Sequence, residues 1–588
     1  MKSNMKFSLL IGLIVLFNAG CDDYLKISDP DKIAAENFPS SLAQVDLLVN
    51  STYGGLHEYS FLGWKWHGLL MQPLDHTADL QWRFDPSLNG LVLGLAIGDT
   101  WHTGTTWRSL NTSIYYCNVA LAGINRYREN AKDSEKQQLN SFEGQALFLR
   151  SYYLWHLQTL HGQPKLDGMG VPVVQKVITD LKEFSVPREK TSAVYRAMIN
   201  DFKRAGELLK GQTDKHRATE WSAKAFLAKS YMYINQMDSA RIALKDIIDK
   251  SGKSLVSFHD YGEMFGGSDA YEMNSEAIFE VENNLDLTIK ATGAAVTSTS
   301  YPVISTLFQV IDGVRQSKKG FGNTYMHDAN LPRFGYNGKP LLTEIEHVNG
   351  EWQMKPAYLE QQLEMRKMEN MRIGGPDPRL YINALQPMID SAEYHGSWYP
   401  VAQQEFGNWW ELSSETGLDP NTFYGWPIGK GNLIVGALGD QNWNNNVDFY
   451  PVRLADVYLM FAETVKDSDP NLALEYINKV HRRAYDYDPN GPSPVDYKSL
   501  TDHTKTLDPS DHLANSPLYY ELWAETFAEG KWWETVRRLD WGQREADYYK
   551  TGVAGRPIVW RVEHYAMPIP AAEFDANDSP GMIQNPGY

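Results

Sequence analysis

Cysteine is nearly absent from this chain of 588 residues, with 2 in all, at Cys21 and Cys117. No disulfide framework can be built from them, so the fold must rest on its core. Long apolar runs are missing too: none after Phe17 approaches the length of a membrane-spanning helix. Basic charge is in deficit, with 55 Lys and Arg against 73 Asp and Glu, a formal charge of -18 and a pI near 5.3. Phosphate binding needs clustered cations, so nucleic acid is a poor partner and anionic ligands in general are disfavoured. Catalytic signatures are also wanting, since no nucleophile elbow, metal-ligand motif or dedicated carboxylate motif rises above background.

The chain start is the first positive signal. Lys2 and Lys6 precede the apolar run 7–17, and the small residues Ala19 and Gly20 lead into Cys21. That layout predicts a secretory signal peptide over 1–20. Cys21 resembles the diacylated cysteine of bacterial lipoproteins, which becomes the N-terminus once the leader is removed. Acyl chains at about 0.8 kcal/mol per buried methylene would hold the mature chain on a membrane.

Helical periodicity then dominates. A helix is expected over 40–56, a second from Trp107 with Leu110, Ile114, Cys117, Leu121 and Ile124 on one face, and a third in "SFEGQALFLRSYYLWHLQTLHG". Segment 192–250 predicts three more, the last two broken at Asn235-Gln236 with Ala225, Ala228, Ala240 and Ala243 where helices would pack closely. A similar pair, broken near Asp469-Pro470, lies in 452–484. The helix, turn, helix arrangement resembles tetratricopeptide repeats. The fold class expected is mainly α: a tetratricopeptide-like scaffold in 21–253, a loop-rich inserted lobe in 254–450 and a C-terminal helical part in 451–588, together one compact unit. One further helix is expected in "LYYELWAETFAEGKWWETVRRLDW", followed by a turn-rich tail along the surface.

Several segments in order carry a family resemblance. They are Cys21-Asp22-Asp23-Tyr24-Leu25, Leu160-His161-Gly162 with Val171-Pro172, Phe308 leading to Asp312-Gly313, and Asp377-Pro378-Arg379-Leu380. They continue with 451–459 "PVRLADVYL", 478–484 "NKVHRRA", 527–530 "FAEG", Pro568-Ile569-Pro570 and 584–588 "QNPGY". Together they resemble the SusD (RagB/SusD) family of outer-membrane lipoproteins from polysaccharide-utilisation systems. The resemblance implies a non-catalytic, surface-exposed, lipid-anchored protein. It would bind glycan and deliver it to a SusC-like TonB-dependent transporter.

The 18 Trp and 33 Tyr are the ligand-binding resource. A sugar ring has an apolar axial face and polar equatorial hydroxyls, so it stacks on an aromatic ring and is oriented by flanking polar groups. Trp107, Trp155, Trp221, Trp523, Trp532 and Trp533 fall in helical patterns and are expected in the core. Trp82 and Trp101 fall in the loosely patterned stretch 59–106, and the lobe adds Tyr301, Trp352, Trp398, Trp409, Trp410, Trp426 and Trp443. The expected ligand set is Trp82 first, then Trp352 and the Trp409-Trp410 pair, with Asp79, Trp101 and Tyr301. Asp75, His76 and Asp79 could instead serve metal or acid-base chemistry, or only turns. "DQNWNNNVD" sets Asp440, Asn442, Asn444, Asn446 and Asp448 at alternate positions like a calcium loop, but Asn445 and Pro451 stand where Gly and Glu are required. No cofactor is expected beyond that open structural calcium. A secreted glycoside hydrolase and a peptide-binding lid of the same transporter type remain the competing readings.

Overall fold

The computed structural model describes residues 38–57, 77–79, 101–266, 269–282, 309–311, 314–316, 324–340, 343–349, 351–394, 397–400, 424–426, 428–430, 447–550 and 557–588. The longer helices are α1 (Leu42–Tyr53), α2 (Trp101–Arg128), α3 (Lys136–His161), α4 (Thr191–Leu208), α5 (Glu220–Tyr233) and α6 (Met237–Lys250). The series continues with α7 (Pro356–Met365), α8 (Leu454–Val465), α9 (Pro470–Ala484), α10 (Pro517–Glu525), α11 (Trp532–Leu539) and α12 (Gly542–Tyr549). Among the described residues strands are short and pair in twos: β1 (Thr77–Asp79), β2 (Ala277–Val281), β3 (Gln309–Ile311), β4 (Val314–Gln316), β5 (Thr324–Met326), β6 (Ile345–Val348), β7 (Glu351–Met354), β8 (Ser391–Tyr394), β9 (Ser397–Pro400) and β10 (Phe449–Arg453).

Local chemistry sets the helix ends. Ser41 caps α1 by accepting from Gln44 N–H, and Thr219 caps α5 in a reciprocal box with Ser222. Asp469 caps α9 ahead of Pro470 in the first turn, and His481, Arg482 and Arg483 close it where cations favour the dipole. The break between α5 and α6 falls at Asn235, whose φ of 57° is one that Asn tolerates better than most side chains. Close packing follows, with Ala225, Ala228 and Ala240 fully buried.

Successive helices α1 to α6 pack on one another, and α6 then packs on α8 and α8 on α9. The inserted stretch therefore leaves the stack uninterrupted. It departs and returns through one antiparallel ladder, β2 with β10, in which Phe449 faces Val281 and Val452 faces Phe279. Among the described residues one apolar cluster runs from Leu56 through Phe148 and Phe226 to Phe334, Leu380 and Trp426 in the insert and Met582 in the tail.

Two expectations about helix limits change. α2 begins at Trp101, six positions before Trp107, so Trp101 stands on a helix and not in a loop. The expected helix after Pro517 is two, α10 and α11, because Ala528 (φ 58°) and Gly530 (φ 69°) turn the chain left-handed between them.

A buried ionic hub joins the insert to the C-terminal helices. Arg453, fully buried, reaches Glu276 at 2.5 Å, Glu525 at 3.0 Å and Glu529 at 2.6 Å. Arg483 bonds Glu276 and Glu525, and Arg379 bonds Asp377 at 2.7 Å and Glu521 at 2.8 Å. Lys430 fills its donors with Tyr261 Oη (2.8 Å), the Glu525 carbonyl (2.9 Å) and Glu529 (2.5 Å). A separate pair of carboxylates, Asp511 and Glu545, grips Arg333. Burying these charges is tolerable only because each cation meets several acceptors.

A second convergence ties the chain end to α3. Asn585 Nδ2 donates to the His161 and Met567 carbonyls at 2.8 and 2.6 Å, while its Oδ1 accepts from Arg188 at 2.8 Å. Asn585→Ala strands these buried groups, and the expected loss is about 1–2 kcal/mol in urea unfolding. An unchanged midpoint would mean that the tail merely rests on the surface. His161 Nδ1 lies 3.0 Å from the Pro568 carbonyl, and its ring stands edge-on to Trp107 at 4.9 Å. Burial lowers its pKa from 6.5 to about 3. The unfolded chain binds this proton first, so the site's contribution is whole above pH 6.5 and drains as pH falls toward 3. His161→Asn keeps a donor for Pro568 but does not titrate. It should flatten the fall in urea midpoint between about pH 6.5 and 4, and a slope equal to the parent's would contradict this.

Candidate functional site

β1 lies in the loosely patterned stretch that carries Asp79 and Trp82. It pairs antiparallel with β5 of the insert, Thr77 facing Met326, Ala78 facing Tyr325 and Asp79 facing Thr324. Met326 N–H donates to the Trp426 carbonyl at 2.8 Å, so segment 424–426 lies along the other edge of β5. Two loop-rich regions far apart in sequence thus meet at one ladder. This junction is the candidate ligand site.

Its base is an aromatic cluster. Trp426 packs against Tyr336 (5.1 Å) and Tyr381 (6.0 Å), and Tyr336 against Tyr424 (6.2 Å). Tyr336 Oη donates to Gln362 at 2.8 Å and Tyr424 Oη to the Gly338 carbonyl at 3.0 Å, so the polar ends of these two tyrosines are satisfied within the protein. Asp328 accepts the backbone N–H of Tyr424 at 3.3 Å, and burial lifts its pKa to about 7 against the opposing pull of that bond.

Of the expected site residues, Asp79 ends β1 at the junction. Trp352 stands in β7 in register with His347 on a separate hairpin, and Trp398 in β9 in register with Glu393 on another. The structure assigns these three to different two-stranded sheets. Trp101 is the first residue of α2. Cys21, Asp75, His76, Trp82, Tyr301, Trp409, Trp410 and Trp443 lie outside the described residues, as do Asp440, Asn442, Asn444 and Asn446. Asp448 immediately precedes the return strand β10 and is hydrogen-bonded with Glu280, whose carboxyl burial raises to about 7. Among the described residues no group of three or more His, Cys, Asp or Glu is arranged to hold a metal ion.

Trp426 is corrected from platform to core, since it is 2% exposed and occupied by Tyr336 and Tyr381. Trp107, Trp155, Trp523, Trp532 and Trp533 are buried as expected. Trp221 is only partly buried and lies under the Lys224 ammonium at 4.6 Å. The loop criterion passed over Tyr115 and Tyr116, which stand 47% and 45% exposed on the outer face of α2 with rings 6.0 Å apart. Their offset from the apolar face Leu110, Ile114, Cys117 was the signal available in the sequence.

A cavity of about 50 Å³ lies where Trp155, Lys229, Asp456, Glu463, Lys531 and Glu534 meet. Ligand pockets run to several hundred Å³, so it cannot enclose a sugar ring.

Residues 275–588, just over half of the chain, match the family described as the SusD family. The chain belongs to that family. Residues 94–232 match a second SusD-like description, "starch-binding associating with outer membrane". No curated protein sequence matches the chain. Among solved structures it is similar to a SusD-like protein from Bacteroides fragilis at 17% identity and TM-score 0.67, covering 95% of this chain and 99% of that one. A SusD homologue from Bacteroides thetaiotaomicron matches at 15% identity and TM-score 0.67, again over 95% and 99%. A laminarin-binding SusD-like protein matches at 17% identity and TM-score 0.61, over 93% and 99%. These likenesses show a SusD-like, helix-rich fold. Among the described residues no helix is long and apolar enough to cross a membrane.

Proposed function

We propose that this protein is a non-catalytic glycan-binding lipoprotein of the outer membrane. It captures poly- or oligosaccharide at the cell surface and delivers it to a SusC-like TonB-dependent transporter. In this reading 1–20 is the signal peptide, Cys21 the lipidated residue, and 21–253, 254–450 and 451–588 form one working unit. Membership of the SusD family over 275–588 carries the proposal. The β1–β5 ladder, which joins two stretches rich in Trp and Tyr in the sequence, supports it, and so does the laminarin binder among similar folds. The net negative charge favours a neutral glycan.

The test is affinity electrophoresis and calorimetry against neutral plant, fungal and bacterial polysaccharides. Retardation by at least one neutral glycan is expected, with no new reducing ends. Absence of any shift across the panel would remove the glycan reading, and release of reducing ends would replace it with a hydrolase.

A further inference from the structure

The insert leaves and rejoins the stack through the β2–β10 ladder, and the two ends of that ladder are held by different chemistry. At the inner end Ala277 faces Arg453, whose guanidinium is ion-paired in the hub. At the outer end Val281 faces Phe449, and the polar contact there joins Glu280 of β2 to Asp448, the residue ahead of β10. Both carboxyl groups are buried, each residue being 8% exposed. The register shifts on either side of Val452, so the backbone pairing between the two ends is irregular.

Two carboxyl groups hydrogen-bond to each other only while one of them carries a proton, because ionised carboxylates are acceptors alone and repel. The surroundings of Glu280 favour keeping that proton. Met273 N–H is split between its two oxygens at 3.2 and 3.0 Å. The Tyr450 hydroxyl also reaches Glu280, but the Met264 carbonyl at 3.3 Å competes for its proton, and Arg453 faces Tyr450 from the hub side. Glu282 adds a second negative charge and is itself paired with His216. Lys253 feels the Glu280 charge, with Lys215 beyond it, yet its ammonium donates to the Asn274 carbonyl at 3.4 Å. Burial outweighs these partners and raises the Glu280 carboxyl from 4.5 to about 7.

We infer that Glu280 and Asp448 form a proton-dependent latch on the outer end of the β2–β10 ladder. With one proton shared between them the ladder is closed along its length. With none, the two carboxylates part and the outer end opens, while the Arg453 hub keeps the inner end shut. A carboxyl whose folded pKa is raised contributes stability that is whole below 4.5 and drains as pH rises through about 7. The hub has the opposite sign, since Glu525 gives up its charge only as pH falls toward 2. The inference does not depend on glycan binding.

The test is hydrogen exchange on the full mature chain at about pH 5.5 and about pH 8 in EDTA, with rates corrected for the pH dependence of intrinsic exchange. Amides of 277–281 and 449–453 should lose roughly tenfold or more in protection at the higher pH, while those of α3 and α5 keep theirs. Glu280→Gln places a permanent N–H donor opposite Asp448, so its ladder should stay protected at both pH values. His216→Gln removes the neighbouring titratable ring and should respond as the parent does. Equal protection of the parent ladder at both pH values, an undiminished loss in Glu280→Gln, or a response abolished by His216→Gln would overturn the latch. Should Glu280→Gln not fold, Asp448→Asn supplies the donor from the other side, with the same expected and contrary results.

Discussion

Arg453→Met is expected to cost about 3–5 kcal/mol in urea unfolding, the typical price of breaking a buried ion pair. The side chain is fully buried and serves Glu276, Glu525 and Glu529 at once. Methionine fills much of its volume but leaves three carboxylates with too few counter-charges. Arg453→Lys keeps the charge and loses the forked geometry, so it should fall between. Lys245→Met, which breaks an exposed pair with Asp249, should change stability by less than about 0.5 kcal/mol. A cost below about 1 kcal/mol for Arg453→Met would mean that solvent, not Arg453, neutralises the hub.

The same hub sets the acid limit of the fold. Neighbouring guanidinium groups hold Glu525 at about 2 against a burial effect that alone would raise it, and in the separate Arg333 site Arg333 and His512 do the same for Glu545. A carboxylate with a depressed pKa contributes stability above its ordinary value of 4.5 and loses it as pH falls toward 2. Unfolding below about pH 4 should therefore release the insert and the C-terminal helices together, because one network holds both.

Helices were legible in the sequence because each carries a sustained apolar period, a cap and a stop, as α9 does with Asp469, Pro470 and its closing bases. The hub was not legible as a structure, although its parts stand out as short strings in the sequence. Asp377-Pro378-Arg379, the "PVRLAD" and "HRR" strings and "FAEG" were visible only as family signatures scattered along the chain. Their shared role emerges when Arg379, Arg453 and Arg483 converge on Glu525. The "HG", "PIP" and "QNPGY" strings likewise meet at the end of α3, through His161 and Asn585. Charge pairing across such separations has no periodicity, so sequence pattern cannot place it. Trp426 shows the converse limit. Loop context suggested exposure, but the ring packs on Tyr336 and Tyr381 from elsewhere in the insert. The β1–β5 pairing was equally hidden, since three-residue strands give too short a period to read.

Trp82→Ala is expected to weaken glycan binding about 30-fold while leaving the melting curve unchanged. If a stacked sugar removes roughly 80 Å² of apolar surface from water, burial at about 25 cal/mol per Å² contributes about 2 kcal/mol, which converts to that factor. Trp82 follows Asp79, the last residue of the strand that joins the 59–106 stretch to the insert. That ladder fixes the chain three residues upstream, at Asp79. Trp352→Ala, on a hairpin of its own, and Trp409→Ala and Trp410→Ala are expected to have smaller single effects. Calorimetry with whichever neutral glycan retards the parent protein measures all four. Binding by Trp82→Ala within a factor of two of the parent would move the site away from the β1–β5 junction. A selective loss in Trp352→Ala would shift it to the β6–β7 hairpin.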